Sequence, residues 1–232
     1  MDEQNVLVCA FDISEEKEQS KAFARVIQHF GNLDVLVNNA GRIYFSEFVD
    51  DSMDDDMKTF KVNTFANVNI SRIVLRHWNE TGQRNGQIVA TSSLAAYVNM
   101  PYMQIYGASK RSLHEYYNAL RMEYAAKPIS FTIVVPGPVE SELYKKSFLS
   151  NDKKLDQARS VDSFTMTTDR CVDLMLVGIA YRLKEIWVSK NPILIFAYFY
   201  CFSPFWTNSL WSLLFMNEKT KRFFKSRIIK SQ

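Results

Sequence analysis

The sequence predicts an α/β fold in which a parallel β-sheet is wound by helices on both faces. Two observations carry this. Short apolar runs alternate with longer amphipathic stretches over most of the chain, the order that builds strand–helix–strand units. The segment Ile129–Val135 is apolar along nearly its whole length, as a strand covered on both faces has to be. With 232 residues, 47% apolar and 23% charged, the chain can fill one core of this kind but not two.

Taken in order, Val6–Phe11 reads as a buried strand ending at Asp12. Ser14 is placed to cap the following helix, whose first turn carries Glu15 and Glu16, favourable at a helix N-terminus. Ala22, Phe23, Val26, Ile27 and Phe30 recur with a 3.6-residue period and give that helix one apolar face. Leu33–Val37 is the next strand, broken by Asn38-Asn39-Ala40-Gly41. A long helical stretch over 53–78 and a loop with Gly82 and Gly86 lead into the strand Gln87–Thr91. Ile105–Ala126 reads as a second long helix, stopped before Pro128 because the residue preceding a proline resists the helical conformation. Residues 142–166 are polar without a clear period and read as a flap. Thr168–Leu183 returns to helix and Glu185–Val188 to strand, which sets a domain over 1–190 apart from a segment over 191–232.

Composition excludes several functions. A net charge of +3 gives no reason to expect nucleic acid. Cys9, Cys171 and Cys201 are too widely spaced for a disulfide framework or a metal site and read as buried thiols of a reducing compartment. His29, His77 and His114 have no acidic or cysteine partner at ligand spacing, so they read as ordinary surface or helix residues, and no metal is expected. Residues 1–13 are acidic and strand-like, unlike a secretory leader.

Tyr106 and Lys110, four apart, share one face of a helix. An ammonium there favours the phenolate and draws the tyrosine down from about 10, toward the range a general acid/base needs. Ser93 lies at a strand end and Tyr106 in the first turn of the next helix. Both therefore face the carboxyl edge of a parallel sheet, where ligands of α/β folds bind, and Ser93 can hold a substrate oxygen. The pair alone also fits a buried tyrosine beside a surface lysine.

In chain order, the set is Asp12, Asn38-Asn39-Ala40-Gly41, Asn63, Ser92-Ser93, Tyr106-Gly107-Ala108-Ser109-Lys110 and Pro136-Gly137-Pro138-Val139-Glu140-Ser141. By these motifs the chain resembles the short-chain dehydrogenase/reductase family, and the resemblance implies a Rossmann-type doubly wound sheet. It also implies that Asp12 lies against an adenine ring and that Asn38, Ala40 and Gly41 form a floor under the cofactor. Asn63 would hold a proton-relaying water, Lys110 the nicotinamide ribose, and Val139 and Ser141 the carboxamide, with Tyr106 as acid/base and Ser93 as its oxyanion partner. Over Met166–Val172 and Leu183–Ser189 the chain is similar to membrane-associated reductases of the family. That similarity implies NADP, with NAD left open, and a hydrophobic carbonyl or alcohol substrate such as a steroid or retinoid, a reading that Tyr97, Met100, Met103 and Phe148 suit. The family's glycine-rich Thr-Gly-x-x-x-Gly-x-Gly turn has no counterpart among the seven glycines. Val6–Phe11 then corresponds to the family's third strand, with the first βαβ strands lacking beside it and cofactor affinity expected to be weak.

From Asn191 to Asn217 the chain holds no charged side chain over 27 positions and nine aromatics, followed by Lys219, Lys221, Arg222, Lys225, Arg227 and Lys230. As one helix it would span roughly 40 Å, more than the ~30 Å hydrocarbon core. Pro192 and Pro204 break it, so three readings stand: a membrane span, two pieces lying on a membrane such as that of the endoplasmic reticulum, or a homodimer interface. The competing functional reading is a catalytically silent chain that acts by pairing with another subunit.

Overall fold

A computed structural model of the chain describes residues 5–141, 143, 148–149, 153–154, 164–217 and 219. Four strands, β1 (Val35–Asn38), β2 (Gln87–Thr91), β3 (Ser130–Pro136) and β4 (Glu185–Val188), pair in parallel in that order. Parallel neighbours need crossover connections. The helices that provide them and flank the sheet are α1 (Glu16–Phe30), α2 (Met53–Phe60), α3 (Ala66–Thr81), α4 (Gln104–Glu123) and α5 (Thr168–Ala180), followed by α6 (Ile193–Phe202) and α7 (Pro204–Met216).

Alternation along the strands divides the core in two. Ile88, Ala90, Phe131, Ile133 and Val135 face Val74, Leu75 and Trp78 of α3 and Leu113 and Tyr117 of α4. Val89 and Val134 face the opposite way, onto Met166, Cys171 and Val188. Helices cover both faces, as expected. Ile88, Val89, Ile133 and Val134 are fully buried, each contributing roughly 1.5–3 kcal/mol, so the β2–β3 pair is the most firmly held part of the sheet.

The long helical stretch runs further than its periodicity suggests and is interrupted. Ser52 caps α2 by accepting from the Asp55 N–H, a π-turn at Lys61–Phe65 joins α2 to α3, and Gly82, in the left-handed region at φ 69°, ends α3. Gly86 lies under the Trp78 ring, where a Cβ would come within 2.7 Å of it.

Three expectations are corrected, two of them near the chain start. Val6–Phe11 forms no strand: it has no ladder partner, and Val6, Val8 and Phe11 are exposed. A strand exists through its neighbour, and here a groove of about 250 Å³, lined by Cys9, Phe11, Ile13, Leu36, Val37 and Asn38 among others, separates the segment from the open edge of β1. Ser14 caps nothing; its N–H donates to Asp12 Oδ1, and Glu15 occupies the cap position without a side-chain bond. The thiols are not all buried: Cys171 is, Cys9 is half-buried and Cys201 is exposed.

Most of the expected flap and all of the basic tail after Lys219 lie outside the described residues. Within the flap, Phe148–Leu149 pairs with Tyr44–Phe45 and with Lys153–Lys154 in a small second sheet. The uncharged tail segment breaks at Ser203, giving helices of 10 and 13 residues. No helix among the described residues is long and apolar enough to cross a membrane. Ala197 and Tyr200 of α6 enter the main core, while Tyr198 stacks on Trp187 of β4 at 4.9 Å.

Besides the apolar packing of Ala22 and Phe23, α1 is held by a buried polar side chain that the apolar period does not reveal. Gln19 is fully buried on α3, donates to the carbonyls of Ile13 and Ala66, and accepts from Asn69. Gln19→Leu should destabilise the protein by about 1–3 kcal/mol, because those three groups lose their partner. Urea unfolding measures this, and a loss below a few tenths of a kcal/mol would show that apolar packing alone secures α1.

Candidate active site

The site forms where the first turn of α4 meets the carboxyl end of β2. Ser93, with extended backbone, precedes a 3₁₀ turn at Leu94–Ala96 and accepts from the Ala95 N–H at 3.2 Å. Gly107 lets α4 approach this turn: a Cβ at that position would lie 2.7 Å from the Ala95 carbonyl oxygen. A glycine in a helix ordinarily costs about 1 kcal/mol, and here it permits a contact no other residue allows. Tyr106, beside it, is buried with Ile43, Phe45 and Met103.

Lys110, one turn on, is 3% exposed, and its Nζ donates to the Thr91 carbonyl at 2.8 Å. Burial without a carboxylate partner lowers its pKa to about 8. An ammonium has three protons and Thr91 takes one, so donors remain for hydroxyls brought to the site. A Cβ on Gly41 would lie 3.2 Å from both Lys110 Nζ and Asn63 Oδ1, so the bare glycine keeps the Asn38–Gly41 turn against this pair. Asn63 sits on the π-turn, a feature frequent at functional sites. Its amide is held by the Arg42 backbone at 2.7 and 3.0 Å and donates to Ser109 Oγ at 3.0 Å.

The structure therefore brings Gly41, Asn63 and Lys110 into contact and presses the Ser93 turn against the start of α4. The other candidates are placed as follows. Asn38 turns its amide inward, to Ser71 Oγ and Tyr117 OH at 2.9 Å, so it ties β1 to α3 and α4. Ala40 and the flanks of Asp12 line the groove. Asp12 itself is exposed, and hydrogen bonds from Ser14 hold its carboxyl below the ordinary range. Val139 leaves the end of β3 and bridges to Met166, and Ser141 follows half-buried. Of the residues suited to an apolar substrate, Met103 packs with Tyr106. The Tyr97 hydroxyl instead bonds inside the protein, to Glu185 and His114, and the Phe148 side chain lies outside the described residues.

Reading the histidines as ordinary helix residues missed His114, which is 1% exposed and bonded at both ring nitrogens. Its signal was its position: four residues after Lys110, it shares the inward face of α4 with Lys110, Leu113 and Tyr117.

With this geometry in view, residues 1–152 match the short chain dehydrogenase family. The chain belongs to that family. It is 34% identical over 227 residues, 97% of its length, to human "Dehydrogenase/reductase SDR family member 7", and covers 66% of that relative. It is 36% identical over 154 residues to "11-beta-hydroxysteroid dehydrogenase 1A" of Arabidopsis thaliana, covering 65% of this chain and 42% of the relative. The chain thus spans between two fifths and two thirds of the length of these relatives. Among solved structures, the alcohol dehydrogenase of Thermococcus sibiricus complexed with 5-hydroxy-NADP superposes with a TM-score of 0.63 at 19% identity. That superposition covers 78% of this chain and 73% of that one, which shows the shared fold.

Lys110 should be visible in the pH dependence of stability. Its pKa is about 8 in the folded protein and 10.5 in its ordinary state. Between these values the unfolded chain binds more protons, so stability from this group rises as pH rises. Relative to Lys110→Met, the wild type should gain on the order of 3 kcal/mol from pH 8 to pH 10.5 in urea unfolding. A difference that stays flat with pH would mean that the ammonium is solvated.

Proposed function

We propose that this chain is the catalytic part of an oxidoreductase that moves a hydride between NADP(H) and a hydrophobic ketone, aldehyde or alcohol. The observation that carries the reading is the buried Lys110 ammonium one helical turn from Tyr106, on a helix seated against the turn of Ser93. A reduced nicotinamide supplies the hydride when bound. Lys110 and the Asn38–Gly41 turn would hold its ribose side, and Val139 and Ser141 its carboxamide. Gly41 supports this fit, since any side chain there would occupy the space beside Lys110 Nζ.

In the reductive direction Ser93 donates a hydrogen bond to the carbonyl oxygen, which strengthens as that oxygen gains charge. Tyr106 transfers its phenolic proton to the same oxygen, and the Lys110 ammonium stabilises the phenolate left behind. Asn63, buried on its π-turn, keeps the Arg42 backbone next to Lys110 and so maintains the floor of the site. An apolar substrate suits the Ile43, Phe45 and Met103 surroundings of Tyr106. The name of the Arabidopsis relative supports the steroid class, and the ligand of the Thermococcus enzyme supports NADP. In NADPH-dependent reduction of an apolar ketone, Tyr106→Phe should lower turnover at least ~10²-fold without unfolding the protein. Turnover within a few-fold of wild type would remove Tyr106 from its role.

A second reading, a chain that acts by pairing with another subunit, is favoured by the open β1 edge beside an apolar groove. Turnover by the chain alone would decide against it.

We further infer that α6 and α7 lie on a membrane, with the endoplasmic reticulum the favoured compartment. Phe202, Phe205 and Trp206 are 83%, 72% and 70% exposed around the break between the helices, within an uncharged segment that precedes a basic cluster suited to anionic headgroups. Because α6 also fills the core, removing the segment would disturb the fold, whereas replacing these three by serine should not. The triple variant should lose most of its sedimentation with anionic lipid vesicles. Unchanged sedimentation would place the contact elsewhere, and a dimer that dissociates in the variant would make this face a homodimer interface instead.

A further inference from the structure

We propose that His114 is a positioning residue: it clamps the Ser93 turn to helix α4 through both of its ring nitrogens at once. The role rests on the reading of Ser93, Tyr106 and Lys110 given above. His114 lies one turn after Lys110 on α4. Its Nε2 is 2.8 Å from Ser92 Oγ and its Nδ1 is 3.0 Å from the Tyr97 hydroxyl. Ser92 and Tyr97 are the two ends of the segment that carries Ser93 and its 3₁₀ turn. One imidazole therefore grips both flanks of the catalytic serine and ties them to the helix that bears the acid/base pair.

Counting protons sets the state of the ring. The Tyr97 hydroxyl has one proton, which it donates to Glu185 Oε1 at 2.9 Å. Glu185 is ionised and able to accept it: burial pushes its carboxyl up, but hydrogen bonds from His114, Trp187 and Tyr97 outweigh burial and hold it at about 2. The Tyr97 oxygen is then left as an acceptor, so Nδ1 of His114 must carry a proton. In the neutral ring Nε2 is the acceptor, and the Ser92 hydroxyl donates to it. In the imidazolium Nε2 donates to Ser92, which turns its own proton to the Lys110 carbonyl at 3.2 Å. In both states Ser92 stays bonded to α4, so the clamp survives a change of charge.

A histidine that merely filled space would be satisfied by the edge-to-face contact with Tyr97, at 4.8 Å and 77°. Packing alone would fix neither the tautomer nor the bonds to both flanks. Glu185 Oε2, 3.6 Å from Nδ1, Arg111, 4.9 Å from the centre of the Tyr97 ring, and Arg121, which interacts electrostatically with Glu185 and Tyr97, are the charged groups around this chain of bonds.

The test combines the tautomer with the firmness of the clamped turn, and neither readout needs turnover. Histidine ring NMR should show His114 in the Nδ1–H form when neutral; the Nε2–H form would overturn the proposal even if no variant folded. Hydrogen exchange reads the turn through the amides of Ala96, Tyr97 and Val98, which donate to the carbonyls of Ser93 and Leu94. In His114→Phe these amides should exchange at least ~10-fold faster while the amides of β2 and β3 keep their protection, and His114→Gln should recover most of the loss. Wild-type exchange in a folded His114→Phe variant would reduce His114 to a space-filling residue. In turnover, His114→Phe should lower kcat about tenfold at unchanged KM, with recovery in His114→Gln. Should Tyr106→Phe prove neutral while the tautomer and exchange results hold, the proposed chemistry fails and the clamp stands.

Discussion

The close seating of α4 on the end of β2 is the constraint on which the rest depends. Gly107 against the Ala95 carbonyl sets how near the helix can come. Lys110 then reaches the Thr91 carbonyl, Ser92 reaches the Lys110 carbonyl, and Tyr106 is buried beside the turn of Ser93. These contacts tie a strand end to a helix start, so the buried β2–β3 pair fixes the candidate site residues in space as well as stabilising the sheet. The buried ammonium is the unfavourable element of this arrangement. Burial away from water lowers its proton affinity.

The opposite side of the sheet is built differently. Among the described residues β1 has one strand neighbour, Val35 and Val37 are exposed, and an apolar groove lies between this edge and residues 9–13. There, α1 is held to α3 by Gln19 and by the Phe23–His77 contact and not by a ladder. The molecule therefore joins the firmly packed edge that carries the candidate site to a sheet edge beside a groove, and the two are linked through Asn38, Ser71 and Tyr117.

Much of this was legible in the residues themselves. The bounds of β2 and β4 and the order of the elements from Leu33 onward followed from periodicity and spacing, because burial imposes both. Val6–Phe11 was misread since a strand-like pattern records only a capacity to pair, and the pairing depends on a neighbour. His114 and Gln19 escaped because a polar residue on an apolar face looks like an exception until its partners, remote in sequence, are known. The π-turn at Asn63 is a one-residue change in helical winding that leaves almost no trace in an apolar repeat.

The claim at the centre of this account is that the carboxyl edge formed by Gly41, Asn63, Ser93, Tyr106 and Lys110 receives a nicotinamide. The most direct measurement is saturation-transfer NMR of NADPH with the protein, a method that reads even millimolar affinity. The account predicts transfer to the nicotinamide and adjoining ribose protons in the wild type and its loss in Lys110→Met. No transfer in the wild type, or the same transfer in both proteins, would contradict it.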